Sequence, residues 1–520
     1  MRQPKETTKT NSGNRPEKKE NLKQRAYLNS VTSVLDYGAR IVTTFFVTPF
    51  LVSGLGSALF GVWKVLGQFT SYTNLADIKA TQVLKWAVAK DRDSVKEEEL
   101  REYVTATFIL VMLILPLVLI TGAIITWYSP QITNVSSEYY NIVRITTAIL
   151  VLALVVNKVF GIFESILRGM NLGFKRMGFR ATVFVIGGAL QIVVMLMGYG
   201  LIVLALIQVL VNLVIGITIY VIVKRHVPWF GWGGLNVKKS ITFFKTSGWF
   251  MGWSAVKMLI VNSDKVLLGF LTGPVLVTQY VITEYLIKAA RGTVGNVIHG
   301  VIPGIGKLYG NEQYEKLNKA RSHVMLMTWL MGIAIGSCVI IFNEAFVQLW
   351  VGDEQYAGPI ANVLILVTTL QYMFIQNDSA IINTTLDIRQ KVYFGFISAV
   401  ITVLLMFILV PDFGIIGLCI AIMAGRLPMS IVYPFIITKK TKTNIKVRYI
   451  LRPLFATVVI WFISYHVGIW VNELNWFWLI SNVFATLLFV LIVAGIAGLS
   501  KSQRTELMKY KDRIKFLKSD

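Results

Sequence analysis

The sequence predicts an all-α polytopic membrane protein with about 14 transmembrane helices, and three observations lead to this prediction. Hydrophobic residues fill 55% of the 520 positions, and the mean hydropathy is +0.63. Only 15% of the residues are charged, whereas about 25% are charged in an average soluble domain. Apolar runs of roughly 20 residues, long enough to cross a hydrocarbon core of roughly 30 Å as a helix, recur along almost the whole chain.

The apolar runs follow an order that indicates two similar halves. The predicted spans are 29–53, 58–78, 103–127, 139–167, 178–198, 200–223, 248–271, 275–302, 322–343, 357–385, 391–410, 413–437, 450–471 and 476–499. A polar linker after the sixth span carries Trp229 and Trp232, and tryptophan favours the membrane interface. The predicted organisation is a cytoplasmic tail (1–28), an N-terminal lobe of six helices (29–225), a cytoplasmic interfacial linker (226–247), a C-terminal lobe of six helices (248–438), a helix pair (449–499) and a basic cytoplasmic tail (500–520).

The net charge of +24 follows the predicted topology rather than a nucleic-acid surface. Lysine and arginine concentrate in the predicted inner segments, such as KWAVAKDRDSVKEEELR and TKKTKTNIKVR, and are missing from the outer loops SGLGSA, YSPQITNVSSEYY, LTGP and VPDFG. This distribution follows the positive-inside rule and predicts that both termini are cytoplasmic. Cys338 and Cys419 both lie within spans, which argues against a disulfide framework or a cysteine metal site.

The two predicted lobes begin in the same way. The segments FLVSGLGSALFGVWKVLGQF (50–69) and FLTGPVLVTQYVITEYLIKA (270–289) both place a short outer turn between two long helices. Their hydropathy, loop length and charge match better than their residue identity. Two six-helix lobes of like orientation are related by an axis along the membrane normal, and transporters built from such repeats bind substrate between the repeats.

Charged residues inside the spans are the main functional signal, because an ionised group at mid-membrane costs about 2.5–3.5 kcal/mol on insertion scales. The basic ones are Arg40, Lys64, Arg144, Lys158, Lys257, Lys265, Lys288, Arg291 and Arg426. The acidic ones are Asp36, Asp77, Glu164, Asp264, Glu284 and Asp378. Three pairs share a helix face at a spacing of four and predict local ion pairs, namely Asp36 with Arg40, Glu164 with Arg168, and Glu284 with Lys288. Such pairs can serve structure alone.

The basic residues outnumber the acidic ones and concentrate on spans 1, 2, 7 and 8, which predicts a water-filled cavity that attracts an anion. The candidate substrate-binding residues are Arg40, Lys64, Lys257, Lys288 and Arg291. Arginine can hold two phosphate oxygens at once, while Lys288, three residues before Arg291 and on the same face, acts as a point charge. The competing interpretation is structural, since Arg291 also lies on nearly the same face as Glu284.

Acidic residues inside a helix bundle are candidates for ion coupling, since an acid that titrates or binds an ion can bias two conformations. The candidates are Asp36, Asp77, Asp264 and Glu284. The sequence contains no Walker-type phosphate loop. The expected energy source is therefore a Na⁺ or proton gradient, and no other cofactor is expected.

Four stretches carry a family resemblance: TPFLVSGLGSALFGVWKVLGQF, VNSDKVLLGFLTGPVLVTQYVI, VIPGIGKLYG and DFGIIGLCIAIMAGR. Together with the predicted span layout, they resemble the prokaryotic polysaccharide flippases of the multidrug, oligosaccharidyl-lipid and polysaccharide exporter superfamily. The resemblance covers most of the chain. It implies a V-shaped pair of six-helix bundles in the prokaryotic cytoplasmic membrane. It also implies that the protein moves undecaprenyl-diphosphate-linked oligosaccharide from the cytoplasmic to the outer leaflet by alternating access.

In the related flippases of lipid-linked peptidoglycan precursors, arginines on helices 1, 2 and 8 line a cationic cavity. Arg40 and Arg291 fall on helices 1 and 8, whereas helix 2 offers Lys64 and departs from that pattern. The implied partners are a polyprenyl-diphosphate-linked glycan, the lipid bilayer and polysaccharide-assembly proteins, and the implied protein is not an enzyme. Two alternatives remain open. A multidrug cation antiporter of the same superfamily is disfavoured by the basic excess, and a membrane-embedded polysaccharide-processing enzyme by the short outer loops and scattered histidines.

Overall fold

A computed structural model of the protein describes residues 20–72, 97–234, 237–299, 301–385, 387–441, 448–471 and 475–499, together with positions 81, 84, 85 and 88. Regular secondary structure in these residues is α-helical, apart from short 3₁₀ turns at Ser137–Tyr139 and Asp353–Gln355. The N-terminal helices are α1 (Glu20–Tyr72), α2 (Glu97–Ile132), α3 (Tyr140–Gly169), α4 (Phe174–Leu196) and α5 (Leu201–His226). The C-terminal helices are α6 (Val237–Thr272), α7 (Pro274–His299), α8 (Ile302–Gly310), α9 (Tyr314–Val351), α10 (Pro359–Thr384), α11 (Arg389–Gly425) and α12 (Leu427–Thr441). They are followed by α13 (Arg448–Gly468) and α14 (Trp476–Ala497).

Within the described ranges, 9 helical segments are long and apolar enough to cross a membrane. They are Val31–Phe69, Glu97–Ile132, Ser137–Gly169, Phe174–Leu196, Leu201–His226, Tyr314–Val351, Pro359–Thr384, Arg389–Thr441 and Trp476–Ala497. The prediction of an all-α, multi-pass membrane protein is confirmed at this level. Helix α7 is not among these segments, because Glu284, Lys288 and Arg291 interrupt its apolar surface.

The two longest segments are interrupted helices rather than single crossings. Val31–Phe69 has 39 residues, which is about 58 Å at 1.5 Å per residue and nearly twice a hydrocarbon core. Its helix breaks at Gly56, where φ is 72° and ψ is 166°. Arg389–Thr441 contains a similar break at Gly414, where φ is 53°. Both breaks lie in segments that the sequence predicted as outer turns, SGLGSA and VPDFG.

Helices α7 and α10 begin with the same dipeptide. Gly273 has a φ of 102° and precedes Pro274, and Gly358 has a φ of 90° and precedes Pro359. Glycine accepts this left-handed conformation without a Cβ clash. Proline suits the first helical position, where its missing N–H would have no intrahelical partner. Gly273 and Pro274 therefore end α6 and start α7 within one tight turn, whereas Gly358 and Pro359 start α10 after the 3₁₀ turn Asp353–Gln355.

The helices pack most closely within two groups that meet along α1. Among the N-terminal helices, α1 packs against α4, α2 against α3, and α3 against α5. Among the C-terminal helices, α6 packs against α11, and α7 packs against both α9 and α10. Helices α13 and α14 pack on α9. Helix α1 also packs against α6 and α7, and this contact between α1 and the pair α6–α7 is named the seam below.

Candidate functional site

The seam is closed at the end next to the break in α1. The Thr278 hydroxyl donates to the Ser57 carbonyl at 2.6 Å, and the Gln355 amide donates to the Ser57 hydroxyl at 2.8 Å. Gly61 lies directly against the backbone carbonyl of Pro274, and a Cβ at Gly61 would overlap that oxygen. Helices α1 and α7 can therefore approach this closely only with glycine at position 61.

Aromatic side chains extend the seam from α1 to α9. The rings of Phe45 and Trp350 stack with their centroids 5.6 Å apart, and the Trp350 indole N–H donates to the Phe45 carbonyl at 2.8 Å. The Tyr285 ring packs on Trp350 at 4.4 Å, and its hydroxyl donates to the Ile41 carbonyl at 2.8 Å. Ring contacts and hydrogen bonds thus join α1 to α7 and α9 together.

Charged side chains lie along the same helices, at different distances from the glycine turns. Lys64 lies about 12 Å along α1 from the break at Gly56, and Lys265 lies about 12 Å along α6 from Gly273. Glu284 and Arg291 lie about 16 and 27 Å along α7 from Gly273. A hydrocarbon core about 30 Å thick that began at these turns would hold Lys64, Lys265 and Glu284 well inside it and Arg291 close to its far surface. A charge well inside such a core needs water, a counter-charge or a ligand.

Four of these side chains form one buried cluster, the tetrad Asp264, Lys265, Tyr280 and Glu284. The Lys265 ammonium lies 3.1 Å from Asp264 Oδ2 and 3.2 Å from Glu284 Oε2. The Tyr280 hydroxyl donates to Asp264 Oδ2 at 3.1 Å. Each residue is at most 7% exposed. The tetrad therefore holds one cation between two carboxylates and joins α6 to α7.

The predicted ion pair between Glu284 and Lys288 is wrong. Glu284 bonds to Lys265 on the neighbouring helix instead, and Lys288 is exposed. The physical reason is that a buried carboxylate gains more from an ammonium that shares its dry environment than from one that can reach water. The alternative in which Arg291 pairs with Glu284 is not observed either, since these two side chains form no ion pair within 4.0 Å.

Lys64, Lys288 and Arg291 form a cationic group without a carboxylate partner among the described residues. The positive charges of Lys288 and Lys265 act on Lys64 across the seam, so the group combines residues from both sets of helices. The Lys64 ammonium lies 4.6 Å from the centre of the Phe60 ring. Within this group, Arg291 is half-buried and Lys288 is exposed. The arrangement can receive an anion between α1 and α7.

A second arginine, Arg426, contacts the same aromatic ring as Arg291. The guanidinium carbons of Arg291 and Arg426 lie 5.4 and 4.9 Å from the centre of the Tyr372 ring. Arg426 occupies the turn between α11 and α12 and donates to the Thr368 and Ile260 carbonyls at 3.3 and 2.9 Å. Arg426 is thus fixed by the backbone, and Tyr372 holds Arg291 by one face without neutralising its charge.

Arg40 belongs to a separate cluster between α1 and α4. Its predicted pair with Asp36 is confirmed at 3.1 Å, and its guanidinium lies 4.4 Å from the Phe184 ring. Arg180 approaches the same Asp36 carboxylate at 3.9 Å and the same ring at 5.4 Å. The neighbouring Tyr37 donates to the Ala289 carbonyl at 3.1 Å. Arg40 therefore lies beside the seam, in a different cluster from Lys288 and Arg291.

The predicted pair of Glu164 and Arg168 is confirmed, and a third residue joins it. Arg176 Nη1 lies 2.9 Å from Glu164 Oε1, and its side chain is only 2% exposed. Arg176 falls between the predicted spans 139–167 and 178–198, so the sequence did not mark it as a charge inside a span. The spacing of four between Arg176 and Arg180 on a helix that begins at Phe174 is the signal that would have pointed to both.

Other predicted residues lie away from the cationic group or outside the described residues. Lys257 is exposed on α6, and its charge acts on the buried Lys391 rather than on the tetrad. Asp378 makes a two-point ion pair with Arg321, with distances of 2.7 and 2.8 Å. Asp77 lies outside the described residues. Lys391 was overlooked because it opens a predicted span, where a lysine is expected to reach water.

Comparison with known proteins identifies what the fold resembles. A family profile described as polysaccharide biosynthesis protein matches residues 25–309. The lipid II flippase MurJ in an inward closed conformation superimposes with a TM-score of 0.69, at 13% identity over 89% of this chain and 97% of that one. An inward-facing multidrug resistance MATE transporter of the MOP superfamily superimposes with a TM-score of 0.62, at 16% identity over 79% of this chain and 99% of that one. A MOP superfamily transporter from Pyrococcus furiosus superimposes with a TM-score of 0.53, at 16% identity over 81% of this chain and 94% of that one. That transporter is described as having a binding pocket of reversed polarity. No curated protein sequence is detectably similar.

Proposed function

The chain belongs to the polysaccharide biosynthesis protein family, a family of membrane transporters rather than enzymes, and we propose that it is a flippase for undecaprenyl-diphosphate-linked oligosaccharide. The substrate would pass from the cytoplasmic to the outer leaflet by alternating access. The diphosphate of such a carrier would match the cationic group, and its glycan would match the polysaccharide biosynthesis family. The solved structure of a lipid II flippase with a similar fold supports the choice of a lipid-linked substrate.

The observation that carries this proposal is the cationic group at the seam. Lys64, Lys288 and Arg291 form no ion pair with a carboxylate within 4.0 Å among the described residues, and an unpaired charge inside a membrane span is costly. A diphosphate would neutralise these charges, with Arg291 binding two oxygens and the lysines acting as point charges. Arg40 and Lys257 remain predicted contributors that would meet the substrate at other positions along its path.

The competing function of a multidrug cation antiporter is less compatible with this group. A cationic drug would have to enter between Lys64, Lys288 and Arg291, where like charges repel it. The acids Asp264 and Glu284, which could have attracted a cation, are already bonded to Lys265. We therefore retain the anionic substrate.

The proposed architecture consists of fourteen spans, arranged as two six-helix lobes (29–225 and 248–438), an interfacial linker (226–247) and a C-terminal helix pair (449–499), with tails at 1–28 and 500–520. The break at Gly56 and the turn at Gly273 support a corresponding start of each lobe. Both termini are proposed to be cytoplasmic in a prokaryotic plasma membrane. A cysteine at Ser136 or Asp353 should then react with an impermeant thiol reagent from outside, and one at Asn318 should not. The reverse labelling would overturn this orientation.

The proposed energy source is an ion gradient, with Asp36, Asp77, Asp264 and Glu284 as candidate coupling residues. If Asp264 or Glu284 carries the coupling, Asp264→Asn or Glu284→Gln should abolish gradient-driven movement of the substrate. Binding of the substrate should change little, because neither acid belongs to the cationic group. Transport and binding would be measured in vesicles with and without an imposed gradient. Unchanged transport in both variants would exclude Asp264 and Glu284 and leave Asp36 and Asp77 as the candidate coupling residues.

The proposed function is tested most directly in cells that lack the gene. The expected result is that an undecaprenyl-diphosphate-linked glycan accumulates on the cytoplasmic face and that the wild-type gene restores its export. The accumulated lipid would be extracted and its glycan identified, which also names the sugar composition. Normal export in the deletion strain, with no lipid-linked intermediate retained inside, would contradict the proposal. Polysaccharide-assembly proteins are proposed as partners of this export step.

A further inference from the structure

The tetrad has the composition of a cation-binding pocket in which the cation is already part of the chain. Two carboxylates converge from α6 and α7, and such hard oxygen ligands suit an alkali or similar cation, while the Tyr280 hydroxyl donates to one of them. The Lys265 ammonium fills this position, 3.1 Å from Asp264 and 3.2 Å from Glu284. Lysine is a compact point charge with three donors, so it can satisfy both carboxylates from one place.

We infer that Lys265 is a built-in cation that replaces a bound alkali ion between Asp264 and Glu284. This inference deepens the proposed function, since its role in coupling rests on the protein being an ion-driven transporter. With Lys265 in place, the pocket would hold the α6–α7 contact without Na⁺. Coupling at this site would then proceed through protonation of a carboxylate or movement of the lysine rather than through Na⁺ binding.

The surrounding charges support this reading. Glu284 experiences the positive charges of Lys288 and Arg291 in addition to that of Lys265, and the charge of Arg426 acts on Asp264. A further cation in the pocket would therefore meet several like charges within a low-dielectric region. The ammonium also cannot be exchanged by dilution, because it is covalently attached to α6. These features make the wild-type pocket selective against a free alkali ion.

The inference predicts that removing the lysine creates a site for the ion it replaces. Lys265→Met keeps a side chain of similar length and leaves two carboxylates without a cation, so the purified variant should be destabilised in N-methyl-D-glucamine chloride. In NaCl of equal ionic strength, Na⁺ should occupy the pocket and raise the unfolding midpoint by about 2 °C or more. The wild-type protein should unfold at the same temperature in both salts. Thermal unfolding in detergent measures all of these effects.

A matched variant separates ion binding from a general effect of salt. Lys265→Met combined with Glu284→Gln lacks both the ammonium and one of the carboxylates, so it should fold and should show no difference between the two salts. Equal unfolding midpoints of Lys265→Met in the two salts would overturn the inference. It would also be overturned if Lys265→Met failed to fold in both salts while the double variant folded. A Na⁺-specific rise in the wild-type protein that Glu284→Gln removes would also overturn it. None of these measurements uses substrate or transport, so a failure of the proposed function leaves them unaffected.

Discussion

Replacing Arg291 with alanine should reduce transport of the lipid-linked glycan by about ten- to hundred-fold, while the protein still inserts and folds. The magnitude follows from the loss of a charge-assisted hydrogen bond to the diphosphate, worth about 1.5–3 kcal/mol. Folding should persist because Arg291 has no ion pair to lose, and Glu284 stays bonded to Lys265. Arg291→Lys keeps the charge but not the planar fork, so it should retain an intermediate rate. Transport in reconstituted vesicles and thermal unfolding in detergent provide the two readouts.

Arg144 provides a matched control for this experiment. It also lies in a span and places its guanidinium over an aromatic ring, 4.4 Å from the centre of Trp127, but it is remote from the seam. Arg144→Ala should therefore leave transport close to wild type, because the exposed cation–π contact that it loses, worth about 0.5–1 kcal/mol, stabilises the fold and does not involve substrate. Wild-type transport by Arg291→Ala would refute its contact with substrate. A lower unfolding temperature of Arg291→Ala would assign Arg291 to structure instead.

Placing a Cβ at Gly61 should disrupt the closed end of the seam and reduce transport by about five- to hundred-fold. The added methyl of Gly61→Ala would overlap the carbonyl oxygen of Pro274, which belongs to the backbone and cannot rotate away. Overpacking of this kind costs about 1–3 kcal/mol, which shifts a conformational equilibrium by about five- to hundred-fold. The protein should still fold, because each group of helices can keep its own packing when the groups separate. Alternating access would then lack its outward-closed state.

The state of the seam can be measured by cross-linking. The Ser57 hydroxyl and the Gln355 side-chain amide lie 2.8 Å apart at this end of the seam, so a short bifunctional thiol reagent should join cysteines at these two positions in the otherwise wild-type protein. The yield should fall several-fold when Gly61→Ala is added. Gly67→Ala on the same helix is the control, because a Cβ there meets no atom within 4 Å. An unchanged yield and unchanged transport in Gly61→Ala would show that the contact does not govern closure.

Much of the fold could be predicted from sequence because its determinants are local. Apolar length reports membrane crossing, and the turns at SGLGSA and VPDFG contain the glycines that break the two longest helices. The helix pairs Asp36–Arg40 and Glu164–Arg168 were predicted correctly, since a spacing of four places both members on one face of the same helix. These features need no knowledge of which helix lies beside which.

The candidate site was predicted only in part, because it depends on contacts between helices that are distant in the sequence. Lys64, Lys288 and Arg291 were identified by the cost of a membrane-embedded charge, which depends on position along the chain alone. The partner of Glu284 was assigned to Lys288 by its spacing, but Lys265 on another helix is the residue that bonds to it. Tyr280, Tyr372 and Arg176 were not assigned to a site, because neither aromatic residues nor a basic residue near a helix end stand out in a sequence of this composition.

By itself, the sequence determined that the chain is a multi-pass helical membrane protein with costly charges on a few helices. Hydropathy and charge are known for every residue from the sequence, without knowledge of which helices are neighbours. Only the tertiary structure decided which of those charges neutralise one another. An ion pair within one exposed helix contributes a few tenths of a kcal/mol, whereas breaking a buried pair between helices costs about 3–5 kcal/mol. The rotation and proximity of α1, α6 and α7 therefore select Lys265 for Glu284 and leave Lys64, Lys288 and Arg291 without a carboxylate among the described residues.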